Sequence, residues 1–349
     1  MVADRSHERR LAGGISDAPN RQLPSLTPLR GIAALWVVLY HYHYTAIYFP
    51  NLDITNYTQV IGKGYLAVDM FFMLSGFVMT HVYHRAFSES ITNNYKSFLV
   101  ARFARLYPLH VFILLLFVAT ALSANLTASE FTGTSRSIPA EGPRSFTALF
   151  ANIFMVQGLE AGKLSWNYPS WSISVEFLAY LGFPFALPTI LSAPNALKAT
   201  LALLLFGALA VLAFISGDDF NQWDGPITLL RCLPEFLLGT LLYCAFQMRS
   251  RVQWLSWDSI ALGVVGALVF SLHFGAPDLL IILLFAALIL VAASNTRIFA
   301  KIVGIGALVW LGEISYSLYL VHGLVQFVVT KSLHAIDIQD RSQMRAPIR

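Results

Sequence analysis

Apolar residues in this chain come in long blocks, not in the short alternating runs of strands or the one-sided stripes of soluble helices. Blocks at 30–48, 65–83, 99–122, 171–191, 198–216, 226–247, 258–274, 278–294 and 305–330 each approach or exceed the roughly 20 residues that cross a hydrocarbon layer as a helix. They predict an all-α fold, a polytopic transmembrane helix bundle of about nine to ten spans. The run 146–157 (FTALFANIFMVQ) is too short to cross and is read as interfacial or re-entrant. Residues 1–29 form a polar, basic segment without the apolar core and small-residue site of a removed signal peptide. Residues 30–330 make one membrane-embedded domain, and 331–349 are a polar tail.

Composition supports this division. The 349 residues are 56% hydrophobic and only 12% charged, with a mean hydropathy of +0.63. Soluble domains run near a quarter charged, and no soluble fold of this length hides so much apolar surface. The net charge of +4 does not point to nucleic acid, because basic residues also collect in the cytoplasmic loops of membrane proteins. With nine spans and the N-terminus in the cytoplasm, the inner loops hold Arg85, Lys96, Arg102, Arg105, Lys198, Arg249, Arg251, Arg297 and Lys301. The outer loop 217–225 then holds Asp218, Asp219 and Asp224. Counting 146–157 as a full span would reverse those loops, so the positive-inside rule favours nine and a multi-pass protein of the cytoplasmic membrane. The longest connection, 123–170, is then external, and so is the basic tail with Lys331, Arg341, Arg345 and Arg349. The two cysteines, Cys232 and Cys244, lie twelve residues apart in one block, roughly 18 Å along a helix and beyond disulfide reach. Neither stands in metal-ligand spacing, and no metal is expected.

Ionisable side chains inside spans are expensive and are candidates for function, against the plainer reading of helix-end residues that reach to water. Arg30 and His41 are eleven residues apart, close to three turns, so they share a face about 16 Å apart along the axis. Asp69 enters the next block at about the height of His41, where a carboxylate could orient an imidazole or simply suit a helix N-terminus. Ser75 and Gly76, deeper in that block, are read as a close-packing notch. Arg102 and Arg105 share a helix face and could grip phosphates or only mark topology. Glu176 lies behind Trp171, and Arg231 and Glu235 are spaced for an internal ion pair. In the last block Glu313 falls near the middle and His322 near the outer end, with Tyr316 and Tyr319 lining a polar cavity or belonging to an aromatic belt. Arginines thus gather at the inner surface, while His41, Asp69, Glu176 and His322 converge on the outer half. That layout suits a phosphate-bearing donor inside and a polar acceptor outside.

The segments LRGIAALWVVLYH, GYLAVDMFFMLSGF, RFARLYP, WSISVEF, RCLPEFLLG and ISYSLYLVH stand in an order that resembles the membrane-bound acyltransferase family 3, from about residue 27 to 323. That family includes the O-acetyltransferases of bacterial surface polysaccharides. The resemblance implies acyl-CoA, usually acetyl-CoA, as co-substrate with no bound cofactor, and a glycan or lipid-linked saccharide as acceptor. It implies that His41 is catalytic and that Arg30, Arg102 and Arg105 hold the donor. It places Asp69 and Glu176 as catalytic helpers, with Trp171, Tyr316, Tyr319 and His322 toward substrate. His41, aligned by Asp69 or Glu176, would act as general base or as a transient acyl carrier. This chain has Thr27 and Pro28 before Leu29 and Arg30 where the family often has an Asp-Gly pair. Members also usually carry a tenth span, whose absence here would leave the tail outside. A transporter or flippase, and an acyltransferase for a small molecule such as a macrolide, are the rival readings.

Overall fold

The structure is a computed structural model that describes residue 23 and residues 25–43, 54–132, 142–160, 165–249 and 252–344. Most of the segment 1–29, parts of the loop 123–170, Arg251, and Arg345 and Arg349 of the tail lie outside the described residues.

Among the described residues the architecture is entirely helical, with no strand. The α-helices in chain order are α1 (Leu26–His43), α2 (Ala67–Glu89), α3 (Ile91–Thr132), α4 (Phe146–Ile153), α5 (Trp171–Ser192) and α6 (Asn195–Ser216). They continue as α7 (Ile227–Gln247), α8 (Asp258–His273), α9 (Asp278–Ser294), α10 (Ile298–Val303), α11 (Gly306–Glu313) and α12 (Ser315–Met344).

Five of these are long and apolar enough to cross a membrane, and a sixth is added if α11 and α12 count together. The expectation of nine to ten spans is not reached on those terms. The helices α8 and α9 have only 16 and 17 residues. Arg30 and the cluster Tyr40, His41, Tyr42 and His43 dilute the apolar character of α1. The block 305–330 is broken, because α11 and α12 meet at 64°. Glu313, expected mid-span, sits exposed at that break. The polar segment from 331 continues α12, which runs on to Met344.

The bundle is built on close helix contacts at small residues. Between α2 and α7, a methyl group added at Gly76 would sit 1.8 Å from the Phe236 carbonyl oxygen, and one at Gly239 would sit 2.0 Å from that of Met73. Backbone against backbone gives the dispersion contact that holds helices together in lipid, where hydrophobic burial supplies no drive. The notch expected at Gly76 is therefore real. Gly31 and Gly312 bring α1 against α11 in the same way. Side chains on the outside of the bundle are large and apolar, with Phe214 88% and Leu203 74% exposed, as a lipid-facing surface requires.

The run 146–157 becomes the eight-residue α4 followed by a tight turn. It exposes Phe146, Phe150 and Phe154 on one side and buries Ala148, Ala151 and Asn152 on the other. The chain beyond it is pinned: Gly158 N–H donates to Ser174 Oγ at 3.1 Å, and Thr228 Oγ1 donates to the Gly158 carbonyl at 3.0 Å. Asn167 Nδ2 donates to the Leu320 carbonyl at 3.2 Å. Gly158 is thereby tied to α5 and α7, and Asn167 to α12, the helix that carries His322.

Candidate active site

Helix α1 carries Arg30 in its second turn and His41 near its other end, and α12 runs beside it from Ser315 to bring up His322. His41 Nδ1 lies 2.9 Å from the Val37 carbonyl oxygen, one turn back. A carbonyl only accepts, so in the neutral ring Nδ1 carries the hydrogen and Nε2 the lone pair. His322 repeats the arrangement, with Nδ1 2.6 Å from the Tyr319 carbonyl oxygen. Its Nε2 lone pair then faces the His41 Nδ1–H at 3.3 Å. The backbone thus fixes the tautomer of both rings and turns the basic nitrogen of His41 away from His322.

Around this pair the polar atoms are matched. Tyr168 packs its ring 4.8 Å from that of His41 and 5.8 Å from that of His322, centre to centre. Its hydroxyl donates to Gln326 Oε1, whose Nε2 donates to the His41 carbonyl at 3.0 Å. Tyr42 Oη donates to the His322 carbonyl at 3.3 Å.

The second cluster lies along the same helices toward the Arg30 end. A narrow cleft is lined there by Arg30, Ser75, Ser172, Glu176, Ser315, Tyr316 and Tyr319, with Val68, Phe71, Phe72 and Ile173 as its apolar wall. Glu176 accepts hydrogen bonds from Ser75 Oγ and from Tyr180 Oη, the latter at 2.6 Å. Arg30 is within electrostatic reach of Glu176, Arg102 and Arg105. Arg102 is held on α2 by Met79 Sδ at 3.5 Å and Tyr83 Oη at 3.2 Å, while Arg105 is exposed. Tyr316 Oη donates to the Leu106 carbonyl one residue past Arg105. Arg30 and Glu176 line the cleft, and the guanidiniums of Arg102 and Arg105 lie within electrostatic reach of Arg30, an excess of positive charge around one carboxylate.

Asp69 takes another place than the one expected. It is fully buried, and both its oxygens accept from Arg231, Oδ1 from Nε at 2.7 Å and Oδ2 from Nη2 at 2.6 Å. The third arm of Arg231, Nη1, donates to the Phe220 carbonyl at 3.0 Å. The bidentate geometry leaves Asp69 committed to charge balance, and the alignment expected of Asp69 or Glu176 toward His41 falls instead to Val37 and His322. Arg231 and Glu235 are not the internal pair that their spacing suggests: neither oxygen of the buried Glu235 has a hydrogen-bond partner, and it abuts Asp69. Trp171 lies with this group, its ring 5.6 Å from the Arg231 guanidinium and edge-on to Phe72.

Of the residues singled out in the sequence, Arg30, Arg102, Arg105, Glu176 and Tyr316 come together, and His41 and His322 come together. Tyr319 joins the two groups, lining the cleft with its ring 5.7 Å from that of His322. Sequence reasoning missed Tyr168, Gln326, Ser172 and the part played by Ser75. Gln326 had a signal, a polar side chain four residues after His322 on one apolar helix face. Tyr168 had none, because its loop reaches the histidines only through tertiary folding.

The model of one family, described as an acyltransferase domain, matches residues 23–347. The chain belongs to the acyltransferase 3 family. Among its relatives, acyltransferase MdmB of Streptomyces mycarofaciens is 28% identical over 332 residues, covering 87% of this chain and 79% of that protein. O-acetyltransferase OatA of Staphylococcus aureus is 25% identical over 339 residues, 86% of this chain but only 50% of OatA. Protein 2 in the picA locus of Rhizobium radiobacter is 42% identical over 106 residues, 30% of this chain and 49% of that protein. No solved structure matches the chain. Family and apolar helices together make this acyltransferase a membrane protein.

Proposed function

We propose that this acyltransferase moves an acetyl group from acetyl-CoA to a hydroxyl of a surface glycan or lipid-linked saccharide across the cytoplasmic membrane. The observation that carries the reading is the order of groups: Arg30 in the cleft wall with Arg102 and Arg105 of α3 within its electrostatic reach, then Tyr319 in the same wall, and the histidine pair beside Tyr319. Coenzyme A is a phosphate-rich head on a narrow arm ending in a thioester. Its phosphates suit Arg30, Arg102 and Arg105 at the cytoplasmic end, since guanidinium forks match phosphate oxygens. Glu176 partly balances those charges before the donor arrives.

In the transfer step His41 Nε2 takes the proton of the acceptor hydroxyl. The oxygen attacks the thioester carbonyl carbon, the C–S bond breaks, and the thiolate leaves with the proton from the imidazolium. His322 Nε2 accepts from His41 Nδ1–H and stabilises the positive ring in between. The O-acetyltransferase name of OatA supports the hydroxyl acceptor, and the aromatic surround of Tyr40, Tyr42 and Tyr168 suits a sugar face.

The test is transfer of radiolabel from [14C-acetyl]-CoA to surface polysaccharide in membranes holding wild type or His41→Ala at equal protein levels. Label with wild type alone supports the reading. Equal label with both removes His41 from the chemistry. Label on a small extractable product, with the polysaccharide bare, would move the acceptor to the small-molecule class.

A further inference from the structure

Tyr319 stands between the two groups of the site. It is 7% exposed and lines the cleft from α12, three residues before His322. Its hydroxyl donates to the Pro169 carbonyl at 3.0 Å and lies 2.7 Å from Ser172 Oγ, a hydroxyl pair in which either oxygen can donate. Two contacts on one oxygen hold the ring in the cleft wall. Its edge meets Phe71 at 5.9 Å on one side and His322 at 5.7 Å on the other, centre to centre. The His41 ring lies a further 5.1 Å from that of His322.

An acyl thioester has a fixed order of parts: phosphates, narrow arm, sulfur, carbonyl, alkyl chain. Pairing the phosphates with the arginines directs the acyl end toward Tyr319, along the walls formed by Val68, Phe71 and Ile173. To meet His41 the acyl group has to pass the Tyr319 ring. We propose that Tyr319, anchored by Ser172, is the residue that limits acyl-chain length, admitting a short acyl group past its ring and excluding long ones. This rests on the donor reading given above. Packing makes the case physical: each methylene that must fit against a fixed ring discriminates by about tenfold or more.

The experiment uses the purified full-length protein in lipid nanodiscs and two non-hydrolysable donors, the dethia analogues of acetyl- and hexanoyl-coenzyme A. Wild type is expected to bind the acetyl analogue more tightly. Tyr319→Ala should shift the affinity ratio toward the hexanoyl analogue by at least about tenfold. Ser172→Ala, which removes the hydroxyl that anchors Tyr319, should shift it the same way by a smaller factor, and it carries the test alone if Tyr319→Ala does not fold. An unchanged ratio in the variants, with wild type binding normally, overturns the role of Tyr319 and leaves the donor site standing. Binding of neither analogue by wild type overturns both.

Discussion

The lone pair of His322 Nε2 faces the Nδ1–H of His41 at 3.3 Å, and each ring is locked by a carbonyl of its own helix. A histidine, not a carboxylate, therefore backs the proposed base. The partner is neutral, so the pair aligns the imidazole without placing a second charge in the membrane.

Replacing His322 by Ala should lower kcat for acetyl transfer by about a hundredfold, the scale of losing alignment at a reacting group, while KM for the donor stays near wild type. His322→Gln, which keeps an acceptor oxygen, should recover part of that loss. Steady-state kinetics on the three proteins decide it, and a change confined to KM would show that His322 serves binding.

The eleven-residue interval between Arg30 and His41 set both ends of the site in the sequence, because helical periodicity alone puts them on one face. Arg102 and Arg105 were legible for the same reason. Asp69 was legible as a buried charge but not as the partner of Arg231, since 162 residues separate them and no local spacing links them. The spans were legible as apolar blocks, but the break at Glu313 was not. Gly312, beside that break, packs against the Thr27 carbonyl on another helix. Pattern reads what a helix does by itself; which helix it meets is decided by packing.

Breaking the Asp69–Arg231 pair should act on stability first. Asp69→Asn leaves a buried guanidinium short of its counter-charge, a loss of about 3–5 kcal/mol. The double variant Asp69→Leu with Arg231→Met should be more stable than either single change, because neither half of the ion pair stays buried without the other. Thermal unfolding in detergent compares wild type, Asp69→Asn, Asp69→Leu, Arg231→Met and the double variant. Full stability with lost transfer in Asp69→Asn would instead return Asp69 to the chemistry.

Gly76→Ala places a methyl 1.8 Å from a backbone oxygen that cannot rotate away. The helices α2 and α7 have to separate, at a destabilisation of at least about 3 kcal/mol, the upper range for overpacking. At Gly182 an added methyl meets nothing within 4 Å. Gly182→Ala should be neutral or more stable by up to about 1 kcal/mol, as expected for alanine in a helix. Equal melting temperatures for the two variants would contradict the close approach of α2 and α7.

Arginines that grip phosphates have a signature that arginines marking topology lack. Charge-assisted hydrogen bonds contribute about 1.5–3 kcal/mol each, so Arg102→Ala or Arg105→Ala should raise KM for acetyl-CoA tenfold or more. The chemistry past Tyr319 is untouched, so kcat should hold. Acetyl-pantetheine, which carries the same thioester without the phosphates, separates the two cases. Wild type should use it poorly, and the arginine variants should use it no worse than wild type. If the variants lose acetyl-pantetheine and acetyl-CoA alike, the arginines support the fold or the orientation of the chain, and the phosphates are held elsewhere.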